Sequence, residues 1–212
     1  GLTALQSLGR YVRDGFSGPV VGITGSAGKT TSRALVGLAL EGLGQVHQTK
    51  GNFNNHIGLP LTLLEMDEAA DALVLEMGMN HAGEIALLAN IGRPTVRIIT
   101  NVGAAHLEGL GSIEAVAAAK GELFDAAQPG DTCCVNVDDP FVAGLPIPEG
   151  VHVLRYGADP TATLRIRNQY SVSNIRKWLN LLKLNDELDH KITIPAYRCR
   201  PRWCRPSSTA RP

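Results

Sequence analysis

The amino-acid sequence predicts an α/β fold, namely a doubly wound, mostly parallel sheet in a three-layer α/β/α arrangement with a P-loop. Short apolar runs typical of buried strands alternate with helical patterns six times between residues 19 and 156. Polar residues follow several of these runs, and a glycine-rich turn ending in lysine follows the first. Because crossovers between parallel strands are right-handed, we expect all the polar strand ends to meet at one edge of the sheet.

The elements begin with a short segment before the first strand. Residues 1–18 are predicted to form a short amphipathic helix or linker, with Leu5, Leu8 and Tyr11 or Val12 facing inward. This segment leads into the apolar strand that precedes the glycine-rich turn.

The run at 20–23 predicts a buried strand, and 33–43 predicts a helix with Leu35, Leu38 and Leu43 on or near one face. The remaining pattern predicts five strands, at 45–49, 71–77, 95–100, 132–137 and 152–156, and helices at 82–89 and 112–127. The strand at 45–49 is short enough for a sheet edge, and Ser112 is the expected N-cap of the last helix.

Composition and charge suggest three segments. Residues 1–161 carry 9 Lys and Arg against 17 Asp and Glu, whereas residues 162–212 carry 11 against 3. All 23 glycines lie at or before Gly157. We therefore expect a linker or the end of a preceding domain at 1–18, a folded α/β domain at 19–160 and a basic, partly disordered tail at 161–212.

The composition also argues against several classes of protein. The content of 44% hydrophobic and 19% charged residues is typical of a soluble globular protein. It shows no apolar run of about 18 residues and no signal-peptide pattern, so we expect a cytoplasmic protein without membrane contact. The four cysteines form neither a disulfide framework nor a zinc pattern, which favours a reducing compartment. Because the chain begins with Gly1, it is expected to be a fragment or a processed product.

The segment TGSAGKTT, residues 24–31, has the order of parts that phosphate binding requires. Gly25 and Gly28 allow a tight turn, the following helix contributes its N-terminus, and Lys29 supplies a full positive charge. Thr30 can place its hydroxyl on a Mg²⁺ ion. The common motif has a glycine where this chain has Ile23, so a tight turn with a solvated lysine is the alternative.

Further polar residues follow the later strands. Glu76 ends the strand at 71–77 and is placed to hold Mg²⁺, although a carboxylate merely exposed at a strand end is the alternative. His106 lies in a loop, where a lone histidine is more often structural. Lys120 lies mid-helix among alanines, for which a solvated surface lysine is the default. Asn136 and Asp139 offer polar groups to a base or a ribose.

Six motifs follow one another along the chain: TGSAGKTT (24–31), GNFNNHIGLP (51–60), EMGMNHAGEI (76–85), TNVGAAHLE (100–108), AAKGELF (118–124) and VNVDDP (135–140). Taken together, they resemble the central ATP-binding domain of the Mur ligases. The EMGMN segment with GEI favours the member that adds a dipeptide over relatives such as folylpolyglutamate synthetase.

The resemblance implies a cytoplasmic, monomeric ligase of peptidoglycan synthesis that uses ATP and Mg²⁺ to form an amide bond through an acyl phosphate. Its substrates would be a UDP-N-acetylmuramoyl tripeptide and D-alanyl-D-alanine, and a plastid location would apply in a plant or alga.

The resemblance also implies residue roles. Lys29, His106 and Lys120 would be catalytic, and a carbamylated Lys120 would join Thr30, Glu76 and His106 as a metal ligand. The nucleotide would contact Gly25, Ser26, Ala27, Gly28, Lys29, Thr30, Thr31, Asn136 and Asp139, and the substrate would contact Asn52, Asn54 and Asn55.

Two alternatives remain beside the ligase. The family has flanking domains that this sequence does not resemble, so we expect weak Mg-ATP binding without ligation by this chain alone, or a nucleotide-binding module without ligase activity. Nucleic-acid binding through the arginines at 198–205 is disfavoured because no aromatic platform accompanies the charge.

Overall fold

The structure is a computed structural model that describes residues 1–104 and 107–165. His106 and the predicted basic tail beyond residue 165 lie outside the described residues. The described elements are α1 (Leu2–Asp14), β1 (Val20–Thr24), α2 (Lys29–Leu40), β2 (Gln45–Gln48), α3 (Gly58–Leu64), β3 (Ala70–Glu76), α4 (Glu84–Gly92), β4 (Val96–Ile99), α5 (Leu107–Leu110), α6 (Ile113–Asp125), β5 (Thr132–Asn136), α7 (Pro140–Ala143), β6 (His152–Gly157) and β7 (Leu164–Arg165), with a 3₁₀ turn at Glu41–Leu43.

The described strands form one seven-stranded sheet in the order β2-β3-β1-β4-β5-β6-β7, and every pairing is parallel. This confirms the predicted α/β class and the edge position of β2. The strand order reverses beside β1, whose neighbours are β3 and β4. In open α/β sheets, the crevice at such a reversal is where ligands bind, at the carboxyl ends of the strands.

Side chains alternate between two apolar layers, one on each face of the sheet. Val20 and Leu73 pack with Phe124 of α6 on one face. Val21 and Val74 pack with α2 on the other. Helices therefore cover both faces, as the three-layer prediction requires, and the parallel strands are buried on both sides.

The helix after β1 differs from its predicted form. α2 starts at Lys29 rather than Arg33, because Gly28 adopts a left-handed conformation with φ 80° and begins the helix directly at the turn. The face that packs is formed by Val36, Gly37 and Leu40, whereas Leu35 is 59% exposed. Gly37 lies against the side-chain amide of Gln48 at the end of β2, and a Cβ at this position would displace that amide.

The predicted inward face of residues 1–18 is wrong in part. Leu8 and Tyr11 are exposed, and the buried positions of α1 are Gly9 and Arg13. Gly9 allows close packing on Pro60 of α3. Arg13 is buried because its guanidinium donates to the carbonyl oxygens of Phe16, Gly92 and Arg93, two of which lie at the end of α4. The segment is thus a helix packed on the α/β domain.

Four described elements were not predicted, namely α3, the four-residue helices α5 and α7, and β7. α3 arises within the asparagine-rich segment, where Pro60 suggests an ending, but a proline in the first helical turn loses no intrahelical hydrogen bond. β7 is only two residues long and pairs with the end of β6. None of the helices within the described ranges, 1–104 and 107–165, has the length and apolar character to cross a bilayer.

Candidate functional site

The loop between β1 and α2 is pinned to the end of β4. Gly25 adopts φ 149°, and a Cβ there would overlap the Thr100 hydroxyl, so only glycine fits. The N–H of Ser26 donates to Asn101 O (3.0 Å), and the N–H of Ala27 donates to Asn101 Oδ1 (2.9 Å). These bonds fix the loop at the carboxyl edge of the sheet.

The mouth of this loop is suited to an anion. A Cβ at Gly28 would meet no atom within 4 Å, so the space over the turn is open. The N–H groups of the first turn of α2 have no partner within the helix and carry partial positive charge. Lys29 Nζ folds back and donates to Gly25 O at 2.7 Å, which places an ammonium group beside the opening. Thr31 continues the exposed first turn.

Glu76 is the centre of a second group of side chains beside this loop. It ends β3 in register with Ile23 of β1, and only 3% of its surface is exposed. Thr30 Oγ1 donates to its Oε2 at 3.0 Å, and Asn54 Nδ2 donates to its Oε1 at 2.9 Å. Arg33 Nη1 lies 3.7 Å from Oε2. The predicted metal residues Thr30 and Glu76 are therefore in direct contact.

The β2–α3 loop, residues 49–57, contains the three predicted substrate residues, and each of them has a different environment. Asn54 is fixed next to Glu76, and its carbonyl also accepts from the N–H of Gly78 at 2.7 Å. Asn55 accepts from the N–H groups of two residues at the start of α3 and so caps that helix. Asn52 is exposed. Only Asn54 joins the Glu76 group directly.

The interpretation of Lys120 as a solvated surface lysine is wrong. It is 1% exposed, because it lies on the face of α6 that packs on the sheet, together with Val116 and Leu123. Burial, together with the nearby charge of Lys29, lowers the pKa of Lys120 to about 8. Near pH 8, Lys120 is therefore a neutral, nucleophilic amine in a considerable fraction of the molecules.

Asn136 and Asp139 lie farther along the same edge, after β5. Asn136 Nδ2 donates to Thr100 O at 2.8 Å and thereby ties the ends of β5 and β4 together. The carboxylate of Asp139 accepts from the N–H groups of Val102 (2.8 Å), Phe141 (3.0 Å) and Val142 (3.0 Å). Asp139 thus holds the loop after β4 and caps α7, while its contact with a nucleotide stays a prediction.

Two residues of this site were missed from the sequence. Arg33 follows Lys29 by one helical turn and Thr30 by three residues, and this spacing is the signal that could have found it. Thr49 accepts from the N–H of Glu76 at 2.9 Å and fixes the end of β3. His106 lies outside the described residues. Within the described part of the chain, His, Cys, Asp and Glu form no group of three or more suited to a metal ion.

Residues 23–197 match the family model of the Mur ligase middle domain, so the match extends past residue 160, where the composition suggests that the domain ends. UDP-N-acetylmuramoyl-tripeptide--D-alanyl-D-alanine ligase of Synechocystis sp. is 46% identical over 138 residues, which are 65% of this chain and 30% of that protein. The protein of the same name from Bacillus subtilis is 43% identical over 141 residues, 66% of this chain and 31% of that one. The chain thus spans about 30% of the length of these relatives.

Two solved structures of MurF proteins also match this chain. MurF from Acinetobacter baumannii superposes with a TM-score of 0.70 and 34% identity, over 74% of this chain and 35% of that chain. MurF ligase from Thermotoga maritima, solved in complex with ADP, superposes with a TM-score of 0.69 and 35% identity, over 74% of this chain and 37% of that chain.

Proposed function

Because the chain belongs to the Mur ligase middle domain family, we propose that it binds ATP and acts in the ATP-driven joining of D-alanyl-D-alanine to a UDP-N-acetylmuramoyl tripeptide. The observation that carries the proposal is the meeting of Lys29, Thr30 and Glu76 at the carboxyl edge of a parallel sheet, beside a helix N-terminus. The names of the relatives and the ADP held by the Thermotoga maritima structure support it.

In this proposal the loop of residues 25–31 surrounds the phosphates of the nucleotide. The N–H groups at the start of α2 donate to phosphate oxygens, and Lys29 leaves Gly25 O to contact the β- and γ-phosphates. Asn136 and Asp139 lie near the base and ribose. Lys29 also stabilises the negative charge that develops on the transferred phosphoryl group.

The residues beside the loop fit a magnesium ion. Mg²⁺ prefers oxygen ligands and is commonly held by one or two protein groups together with phosphates. Thr30 Oγ1 and Glu76 Oε2, 3.0 Å apart, offer a hydroxyl and a carboxylate of this kind. We propose that these two residues hold the ion, which would neutralise phosphate charge. A role for His106 in a second metal site stays a prediction.

The reaction we propose has two steps. A carboxylate oxygen of the tripeptide attacks the γ-phosphorus, the bond to ADP breaks, and an acyl phosphate forms. The amine of D-alanyl-D-alanine then attacks the acyl carbon, and phosphate leaves as the amide forms and the amine loses its proton. Since phosphoryl transfer depends chiefly on position and charge, the part of this chain is to align the γ-phosphate and neutralise its charge.

We also propose that Lys120 is carbamylated. The ammonium would first lose one proton, and the neutral amine would then attack CO₂ to form an N–C bond with release of a second proton, so that an anion replaces a buried cation. Burial and the neighbouring charge of Lys29 supply the neutral amine that the reaction needs, and the same positive charge of Lys29 favours the anion that forms. A carbonyl ¹³C NMR signal should appear in ¹³C-bicarbonate with the wild-type chain and be absent from Lys120→Met. The same signal in the variant would contradict the proposal.

Titration calorimetry with ADP and Mg²⁺ tests the nucleotide site. We expect Lys29→Met to weaken ADP binding at least tenfold, because the ammonium contacts the phosphates. Lys50→Met is the matched control, since Lys50 pairs with Glu65 on the surface and should leave binding unchanged. No ADP binding by the wild-type chain, or equal binding by Lys29→Met, would refute the proposed site.

A phosphate-release assay with ATP and both proposed substrates tests the ligation separately. Release that requires the tripeptide and the dipeptide together would support the ligase. ADP binding without such release would instead support the nucleotide-binding module considered from the sequence.

A further inference from the structure

Arg33 connects Glu76 with the β2–α3 loop. Its Nη1 lies 3.7 Å from Glu76 Oε2 and also donates to Gly51 O at 3.3 Å. Its side chain is 14% exposed, and its Nε is buried without a hydrogen-bond partner in the described part of the chain. A guanidinium has five N–H donors, so this one is held mainly by charge and not by a full set of hydrogen bonds.

Glu76 needs a positive neighbour. Its side chain is 4% exposed, and an ionised carboxylate removed from water is costly unless it is paired with a cation. Thr30 and Asn54 donate hydrogen bonds to it, but both are neutral. Within the described residues, the ion pair that involves Glu76 is the one with Arg33.

A divalent cation bound to Glu76 would meet this guanidinium. The oxygen nearest to Arg33 is Oε2, the same oxygen that Thr30 contacts and therefore the one placed between the two predicted metal ligands. Like charges that share one buried carboxylate repel strongly, because the surroundings screen them weakly. The metal and Arg33 therefore compete for Glu76.

We propose that Arg33 is the counter-ion of Glu76 in the metal-free protein and that a divalent cation displaces it, so that Arg33 links metal binding to the β2–α3 loop through Gly51. Arg33 is then a positioning residue. The inference rests on the proposed function, because it takes Glu76 to be a metal ligand.

Removing the guanidinium of Arg33 should have opposite effects on the stability of the metal-free protein and on the affinity for the metal. Without metal, Arg33→Met leaves Glu76 without its cation and lowers stability. With metal, the same variant removes a competitor and raises affinity. If Arg33 served only to hold the structure, its replacement would lower both the stability of the metal-free protein and the affinity for the metal. Arg33→Lys keeps the charge and should lie near the wild type in both measurements.

The test is a Mn²⁺ titration in the presence of ADP, followed by electron paramagnetic resonance of free Mn²⁺, with thermal unfolding of each metal-free chain. We expect Arg33→Met to bind Mn²⁺ at least fivefold more tightly and to melt a few degrees lower without metal. Glu76→Gln should bind Mn²⁺ at least tenfold more weakly. Lys50→Met removes a positive charge from the same loop, but its partner is Glu65, so its Mn²⁺ affinity should match the wild type.

The outcomes separate the two proposals. If the wild-type chain binds Mn²⁺ and Glu76→Gln does not, but Arg33→Met binds equally or more weakly, the competition is refuted while the metal site stands. If the wild-type chain binds no Mn²⁺ with ADP, both fail. A metal-free double-mutant cycle of Arg33→Met and Glu76→Gln should show coupling, and additive effects would overturn the counter-ion pairing without reference to any metal.

Discussion

Replacing Lys120 by methionine should stabilise the protein in CO₂-free buffer. Methionine is close to lysine in length and needs no hydration, and position 120 is 1% exposed. Folding lowers the pKa of Lys120 from 10.5 to about 8. Each unit corresponds to about 1.4 kcal/mol, so keeping the ammonium buried costs roughly 3 kcal/mol when both states are fully protonated.

The pH dependence follows from the sign of this shift. The pKa of Lys120 is lower in the folded chain than in the unfolded chain. The unfolded chain therefore binds more protons between pH 8 and pH 10.5. The free energy of unfolding of the wild-type chain therefore rises with pH across this window, as the lysine loses its charge. The advantage of Lys120→Met should be roughly 3 kcal/mol at pH 7 and fall below about 1 kcal/mol at pH 10.

Urea unfolding at several pH values between 7 and 10 measures this difference. Lys50→Met is the control, since the side chain of Lys50 is 70% exposed, and we expect it to change stability by less than about 0.5 kcal/mol. An advantage of Lys120→Met that stayed constant with pH would refute the reasoning. So would a loss of stability at pH 7.

Three further outcomes are expected. Ser112→Ala should lower the free energy of unfolding by about 1 kcal/mol, since Ser112 Oγ accepts from the N–H of Ala115 as the N-cap of α6, and no change in urea unfolding would contradict the cap. Arg13→Met should cost about 3 kcal/mol because three carbonyls lose a charged donor, whereas a cost similar to that of the exposed Arg10→Met would refute the buried contact. Cys133 should resist a disulfide reagent at pH 8 until urea unfolds the chain, because burial raises its pKa to about 12; peptide mapping checks this, and labelling of the native chain would contradict it.

The sheet could be predicted because its signal is local. Each apolar run that predicts a strand between residues 20 and 156 is a strand in the structure, with bounds that differ by at most one residue at either end. The meeting of Glu76 with Thr30 follows from topology, since parallel strands with right-handed crossovers bring their carboxyl ends to one edge.

The faces of helices were harder to predict, because small residues can pack where large ones do not. The packed face of α1 contains Gly9, which lets the backbone approach Pro60, while the larger Leu8 stays exposed. In α2, Gly37 lies against the side chain of Gln48 and Leu35 faces outward. A pattern of large apolar residues misses both faces, because each contact depends on how the helix lies on its neighbour, α3 for α1 and the sheet for α2, which the sequence does not reveal.

Buried charged residues are the hardest to predict from sequence patterns, and the partners of each one bear on whether its role is structural or functional. The buried Arg13 donates to carbonyl oxygens, and Arg97 pairs with Asp131 at 2.7 Å and donates to a carbonyl, while its Nε has no partner in the described part of the chain. Glu76 has donors on both oxygens and a cation nearby. Lys120 has no hydrogen bond or ion pair within the described part of the chain, and the nearby charge of Lys29 repels it. Lys120 therefore differs from the other buried charged residues, and the carbamylation proposed above is tested at this position by the Lys120→Met comparison.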